Sequence, residues 1–225
     1  LSRQLDNFFA VYLPWFLETS DIYNDFYTVF AGGDDLLLVG PWNRTASLAS
    51  SLSDQFNAYV CNDGIHFSAG ISFHKAHTPV DVMAEAAEEA LLRAKESGRN
   101  RITVFDETVS WEEVKVLADI ENIFLKWLDE GYLGSAMFYR LNALLEMAAR
   151  ESRLVNGSGI SIGDMHCTRW RALLAYSVER NIGKTSDPEE RKRRIKELRE
   201  KLAEWLATWH GKLRIPLWNV QYNRR

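Results

Sequence analysis

Asp34 and Asp35 directly follow Gly32 and Gly33, and these four residues separate two apolar runs, Phe26 to Ala31 and Leu36 to Val39. Two β-prone runs around a Gly-Gly-Asp-Asp junction predict a hairpin with both acids at its tip. Adjacent carboxylates repel each other and are costly to bury unpaired. A divalent cation removes that cost, and Mg²⁺ favours one or two carboxylates together with substrate phosphates. Gly32 and Gly33 permit positive φ, and their lack of side chains lets a triphosphate approach the backbone. Metal-assisted phosphoryl transfer is the chemistry these residues suit. A plain surface turn uses the same residue types.

Further along, Ser68-Ala69-Gly70-Ile71 lies on a predicted strand, and a helix follows that ends Ala94-Lys95-Glu96-Ser97-Gly98-Arg99-Asn100. Lys95 and Arg99 stand four apart at the helix end, a spacing that lets both cations reach one anion. Lys supplies a compact charge and Arg a bidentate fork for phosphate oxygens. Compensation of the helix dipole is the competing account of cations at a helix end.

The elements that must position these groups follow from periodicity. Residues 2–18 read as an amphipathic helix carrying Leu5, Phe8, Phe9, Tyr12, Leu13 and Phe16. After the hairpin come a helix over Thr45 to Tyr59, a strand over Ile65 to Phe73, a helix over Asp81 to Ser97 and a strand over Ile102 to Phe105, giving α-β-β-α-β-α-β. The second half reads as nearly all helical, with stretches near 111–129, 134–153, 164–181 and 188–209. Loops are expected at Asn156 to Gly159 and Gly183 to Ser186, and no internal repeat is visible.

This ordered set resembles the palm domain shared by nucleotidyl cyclases and some polymerases, and its Ala-Lys-x-x-Gly-Arg-Asn tail is similar to the diguanylate cyclase (GGDEF) signature. The junction carries Asp35 and then Leu36 where that signature has Glu and Phe. With Leu1-Ser2-Arg3 opening a helix that reaches Phe8-Phe9, Gly40-Pro41-Trp42 after the hairpin and Ser110-Trp111-Glu112-Glu113 after the last strand, the chain resembles the large palm-polymerase subunit of type III CRISPR RNA-guided complexes, in its Csm-type (III-A) form. The resemblance implies an α+β fold. Residues 1–107 would be a ferredoxin-like palm with an antiparallel sheet that lacks its first strand, and residues 108–225 an all-α C-terminal domain.

The resemblance also implies an activity, the synthesis of cyclic oligoadenylates from ATP when target RNA binds. Asp34 and Asp35 would be catalytic and would bind Mg²⁺ or Mn²⁺. Gly32 and Gly33 would line the nucleotide's approach, and Lys95 and Arg99 would clamp its phosphates. Ser2 sits about where diguanylate cyclases carry a base-reading acid, and its hydroxyl is compatible with adenine. Implied partners are the other subunits of the ribonucleoprotein complex, with small subunits at the helical domain, guide and target RNA through the complex, and the rest of the large subunit, its nuclease domain and first palm included. The family's palm carries one more metal-binding Asp on a strand before the first helix. Asp6, Asp21 and Asp25 are poor substitutes, because none is predicted on a strand beside the hairpin. The isolated chain is therefore expected to have little or no synthase activity. A non-catalytic nucleotide-binding scaffold and a diguanylate-cyclase-like signalling domain are the alternatives.

Composition narrows the class. Among 225 residues, 46% are hydrophobic and 26% charged, which excludes a disordered tail or a basic nucleic-acid arm. Residues 1–107 carry 7 basic and 15 acidic side chains, and residues 108–225 carry 20 and 16, so an acidic half precedes a basic one. Two cysteines argue against a disulfide scaffold and point to a reducing compartment, here the cytoplasm. No apolar run approaches the roughly 20 residues of a membrane span. The first Met is Met83, so a removed start or a piece of a longer chain is expected. His166-Cys167 and His74 with His77 lack further ligands at metal spacing and read as structural. Arg191 to Arg194 read as a solvated helix face paired with nearby acids, with RNA contact as the alternative. Trp127, Trp170, Trp205 and Trp209 read as core.

Overall fold

The computed structural model describes residues 2–62, 64–156, 162–182 and 187–223. The loops expected at 157–159 and 183–186 lie outside the described residues. Contacts divide the chain into two compact units, Leu1–Val114 and Lys115–Arg225.

The first unit opens with α1 (Ser2–Asn7), a π-helical turn (Phe8–Tyr12) and α2 (Leu13–Thr19). The amphipathic segment is thus helical throughout, with a widened turn at its most aromatic stretch. Phe8, Phe9, Leu13 and Leu17 are buried there against Leu48, Leu52 and Phe56 of α3 (Trp42–Val60). The extra residue in a π turn rotates the helix face, and here the run Phe8-Phe9 places both rings in the core. They pack edge to face with centroids 5.2 Å apart.

Strands β1 (Tyr27–Gly32) and β2 (Asp35–Val39) form the predicted antiparallel hairpin. Its inner face carries Ala31, Leu36 and Leu38 against the aromatic core. A bulge between Thr28 and Phe30 shifts the register, so Phe30 pairs with Leu37 and Tyr27 with Val39 on the outer face. Tyr27 and Phe30 are exposed there.

A second sheet contains β3 (Ala69–Gly70), β4 (Arg101–Val104) and β5 (Glu107–Ser110) in that order. The expectation of an antiparallel sheet is corrected here. β3 and β4 run parallel, because α4 (Val80–Glu96) is a crossover between them. The architecture is α+β with two small sheets, one antiparallel and one mixed. The strand expected over Ile65 to Phe73 shrinks to two residues. Among the described residues its backbone pairs with β4 alone, through Ala69, Gly70 and Ile71. β5 was not expected. It joins β4 through a two-residue turn, Phe105-Asp106, in which both residues take positive φ. Neither is Gly, so the turn signal was weak. Stacking of Phe105 on Phe73, centroids 4.3 Å apart, supports the turn.

Ser110-Trp111-Glu112-Glu113 proves to be a capping box that starts α5 (Trp111–Asp129). The Glu113 backbone N–H donates to Ser110 Oγ at 3.2 Å, and the Ser110 N–H donates to Glu113 Oε2 at 2.9 Å. Trp111 stacks on Phe67 and donates from Nε1 to the Phe67 carbonyl at 2.9 Å.

The second unit is helical: the rest of α5, α6 (Ser135–Asn156), α7 (Trp170–Asn181), α8 (Pro188–Trp209) and α9 (Arg214–Asn223). Residues expected as the first part of a helix over 164–181 form a 3₁₀ stretch, Ile162–Arg169, before α7. α9 was not expected. Pro216 breaks its apolar periodicity in sequence, yet Ile215, Leu217 and Val220 are buried. Trp127 and Trp170 are core, and Trp127 stacks on half-buried Trp205 at 5.4 Å. Asp187 caps α8 by accepting from the Glu189 N–H at 2.9 Å, with Pro188 in the first turn.

Candidate functional site

Gly32 faces Asp35 across the hairpin, which leaves Gly33 and Asp34 as the two-residue turn. Gly33 takes φ +63°, and a Cβ built there meets nothing within 4 Å. Conformation, and not space, therefore calls for glycine at the first central position. Asp34 and Asp35 both project into solvent.

The turn is held from an unexpected quarter. Asp6 on α1 accepts a hydrogen bond from the Gly33 backbone N–H at 2.8 Å. Asp6 lies on no strand, so its spacing in the sequence gives no sign of this contact. Helix α1 nevertheless brings its carboxylate to the hairpin tip. Asp25 is occupied elsewhere, in an ion pair with Arg44 at 3.1 Å. Ser2 lies in α1, and its side chain is outside the described set.

Lys95 and Arg99 lie at the end of α4, both exposed. The helix closes in a Schellman motif: the Arg99 N–H donates to the Ala94 carbonyl at 3.2 Å and the Gly98 N–H to the Lys95 carbonyl at 3.4 Å. Gly98, Arg99 and Asn100 all take positive φ. Arg99 therefore stands past the helix, not one helical turn above Lys95. The tail is pinned by the Asn100 N–H, which donates to Ser68 Oγ at 3.1 Å. This bond joins the Ser-Ala-Gly-Ile strand to the cationic tail. Asn100 Oδ1 is buried without a hydrogen-bond partner.

Among the described residues, Asp34, Asp35, Lys95 and Arg99 form no ion pair with one another. Nor is any group of three or more His, Cys, Asp and Glu arranged to hold a metal ion. The donor set at the hairpin fits Mg²⁺ all the same. It offers two adjacent, solvent-facing carboxylates, and this ion completes its octahedron with waters and substrate phosphates. Cys167 is buried, and His74 and His77 are exposed.

A family model matches residues 1–103: Cas10/Cmr2, second palm domain. Residues 1–103 belong to the Cas10/Cmr2 second palm family. The Cas10/Csm1 single-strand-specific deoxyribonuclease of subtype III-A from Thermococcus onnurineus (strain NA1) is 28% identical over 199 residues, covering 80% of this chain and 25% of that protein. The Methanocaldococcus jannaschii counterpart is 30% identical over 161 residues, covering 67% of this chain and 20% of that protein. The chain thus spans about a quarter of the length of these Cas10/Csm1 relatives. Among solved structures, a Csm1-Csm4 cassette in complex with cA3 shares the fold at TM-score 0.58 and 20% identity, over 97% of this chain and 32% of that one. A Csm1-Csm4 cassette in complex with cA4 aligns at TM-score 0.56 and 21% identity, over 90% of this chain and 32% of that one. The chain corresponds to the second-palm region and helical C-terminal portion of the type III-A Cas10/Csm1 large subunit. No helix of the described residues is long and apolar enough to cross a membrane.

Proposed function

We propose that this chain carries a nucleotide-transfer site that joins ATP into cyclic oligoadenylates in a type III CRISPR complex. The observation that carries this is the turn at Gly33-Asp34, which presents two adjacent exposed carboxylates beside a side-chain-free backbone. Asp34 and Asp35 would hold Mg²⁺ or Mn²⁺, which when bound would supply electrostatic stabilisation of the triphosphate and make a ribose 3′-hydroxyl a better nucleophile. That oxygen forms the new bond to the α-phosphorus, pyrophosphate leaves, and the hydroxyl proton passes to solvent. Gly32 and Gly33 admit the nucleotide to the hairpin backbone. Lys95 and Arg99 hold its β- and γ-phosphates, and Ser2 is assigned to the adenine by its place in the sequence. Phosphoryl transfer is mostly positioning and electrostatics, so this short set suffices once the rest of the site is assembled.

The description of two structural neighbours as bound to cA3 and cA4 supports the product class. Among the described residues the hairpin and β3 each keep an unpaired edge, which suits a palm completed by a further strand. The exposed apolar outer face of the hairpin, Tyr27 and Phe30, suits a surface covered by another part of the large subunit. Complex subunits, small subunits at the helical unit, and guide and target RNA are the partners in this reading, and the compartment is the cytoplasm.

A scaffold that binds nucleotide without turning it over is the second reading. The absence of a three-ligand group among the described residues favours it. Asp34→Ala with Asp35→Ala, in the longest parent chain assembled with its complex and target RNA, separates the two. Loss of ATP polymerisation with assembly intact is the expected result. Unchanged product would overturn the catalytic assignment.

A further inference from the structure

The geometry points to a second binding site, on the helical unit, for the phosphate backbone of a single-stranded nucleic acid. A groove of about 590 Å³ runs between α7 and α8, lined by Arg180, Arg191, Lys192, Lys196 and Arg199, with Ile195 and one acid, Glu179. Five cations against one carboxylate is a strongly one-signed lining.

The rest of α8 behaves differently. Arg194 pairs with Glu190 and lies 4.0 Å above the Tyr132 ring, and Lys201 pairs with Glu197 at 3.3 Å. These cations belong to the paired face that the sequence suggested. Within the groove, Lys192 reaches Glu189 at 2.8 Å, but both side chains are largely exposed, and such pairs exchange readily for another anion. Arg191 donates to the Glu179 backbone carbonyl at 2.8 Å, which fixes its guanidinium at the groove and leaves its charge uncompensated by that bond. Lys196 and Arg199 are exposed and make no ion pair among the described residues.

The layout suits a linear polyanion. Lys192 and Lys196 stand four residues apart, about 6 Å along α8, and Arg191 and Arg199 eight apart, about 12 Å, on one helix face. Exposed Tyr176 stands at the same end, with the Arg180 guanidinium 5.4 Å from its ring centroid. An exposed aromatic ring next to a cationic groove offers a stacking surface for a base. An acidic protein segment fits less well, because Ile195 is the single apolar anchor in the lining, and protein interfaces draw their energy from buried aromatic and aliphatic anchors.

The test is fluorescence anisotropy of the whole 225-residue chain with a labelled single-stranded RNA and the matched DNA, across a salt series. Lys196→Ala with Arg199→Ala should weaken binding at least about tenfold at low salt and flatten the log K against log salt slope by about 1.4. Tyr176→Ser should weaken it about fivefold or more. Lys75→Ala with Arg140→Ala, exposed cations outside the groove's lining, removes the same charge and should leave binding within twofold. Binding of either strand type with these responses supports the site, and the preferred strand names its source. No binding by the native chain, equal losses in the two double variants, or poly-glutamate binding as tightly as the oligonucleotides would overturn it. Asp34 and Asp35 are untouched throughout, so this result and the proposed nucleotide chemistry stand or fall separately.

Discussion

The carboxylate of Asp6 accepts the backbone N–H of Gly33 at 2.8 Å and so ties helix α1 to the tip of a hairpin 27 residues later. A two-residue turn has few internal restraints. Here a charged acceptor from outside the hairpin fixes the Gly32–Gly33 peptide at the start of the turn. The same bond brings an acidic side chain of α1 to the hairpin turn, so Asp6 contributes a charge there as well as an acceptor.

Replacing Asp6 separates the two contributions. Asp6→Ala should leave the Gly33 N–H to water, speed its amide exchange and cost about 1 kcal/mol of stability. Asp6→Asn keeps an acceptor oxygen, so Gly33 protection should persist while one charge disappears. Amide exchange at Gly33, with urea denaturation of each variant, checks this. Unchanged Gly33 exchange in Asp6→Ala would show that the bond does not persist in solution.

Gly70 is fixed by close approach and not by backbone conformation. A Cβ there would lie 2.1 Å from the Leu91 backbone nitrogen and 2.4 Å from the Ala87 carbonyl oxygen, so α4 must back away from β3. Gly70→Ala should cost about 3 kcal/mol and displace the helix whose end carries Lys95 and Arg99. Gly134→Ala, where nothing stands within 4 Å of the new Cβ, should shift the thermal midpoint little. Thermal denaturation of both variants distinguishes crowding at Gly70 from a general effect of losing glycine.

Glu121 makes the helical unit sensitive to pH. Burial raises its carboxyl pKa above the ordinary value of 4.5, opposed by the hydrogen bond from Asn219 Nδ2 at 2.9 Å. The folded carboxyl therefore holds its proton more tightly than the unfolded one. Its contribution to stability is greatest when it is protonated and is lost as pH rises from 4.5 through the raised folded value. Glu121→Gln keeps an acceptor for Asn219 and removes the charge. It should raise the denaturation midpoint at pH 7 and flatten the decline across that window. Urea midpoints at pH 4 to 7 check both effects.

The amino-acid sequence by itself determined the local parts. The Gly-Gly-Asp-Asp hairpin, α3, α4, α5 and α8 follow from periodicity, turn residues and caps, which act over a few neighbouring positions. The motif order likewise pointed to the palm family that matches residues 1–103. Tertiary structure decided what local signals do not encode. The β3–β4 pairing is parallel because a helix crosses between them, and β3 is short because only Ala69 to Ile71 find backbone partners. Arg99 sits beyond the helix because Gly98 reverses the chain and Ser68 catches Asn100 from 32 residues away. Asp6 meets Gly33 because two helices and a hairpin bury one aromatic core, and the core sets where the helix faces point. Hydrophobic burial is non-directional. It assembles the elements that the sequence announces, and the contacts it brings together decide which polar groups become neighbours.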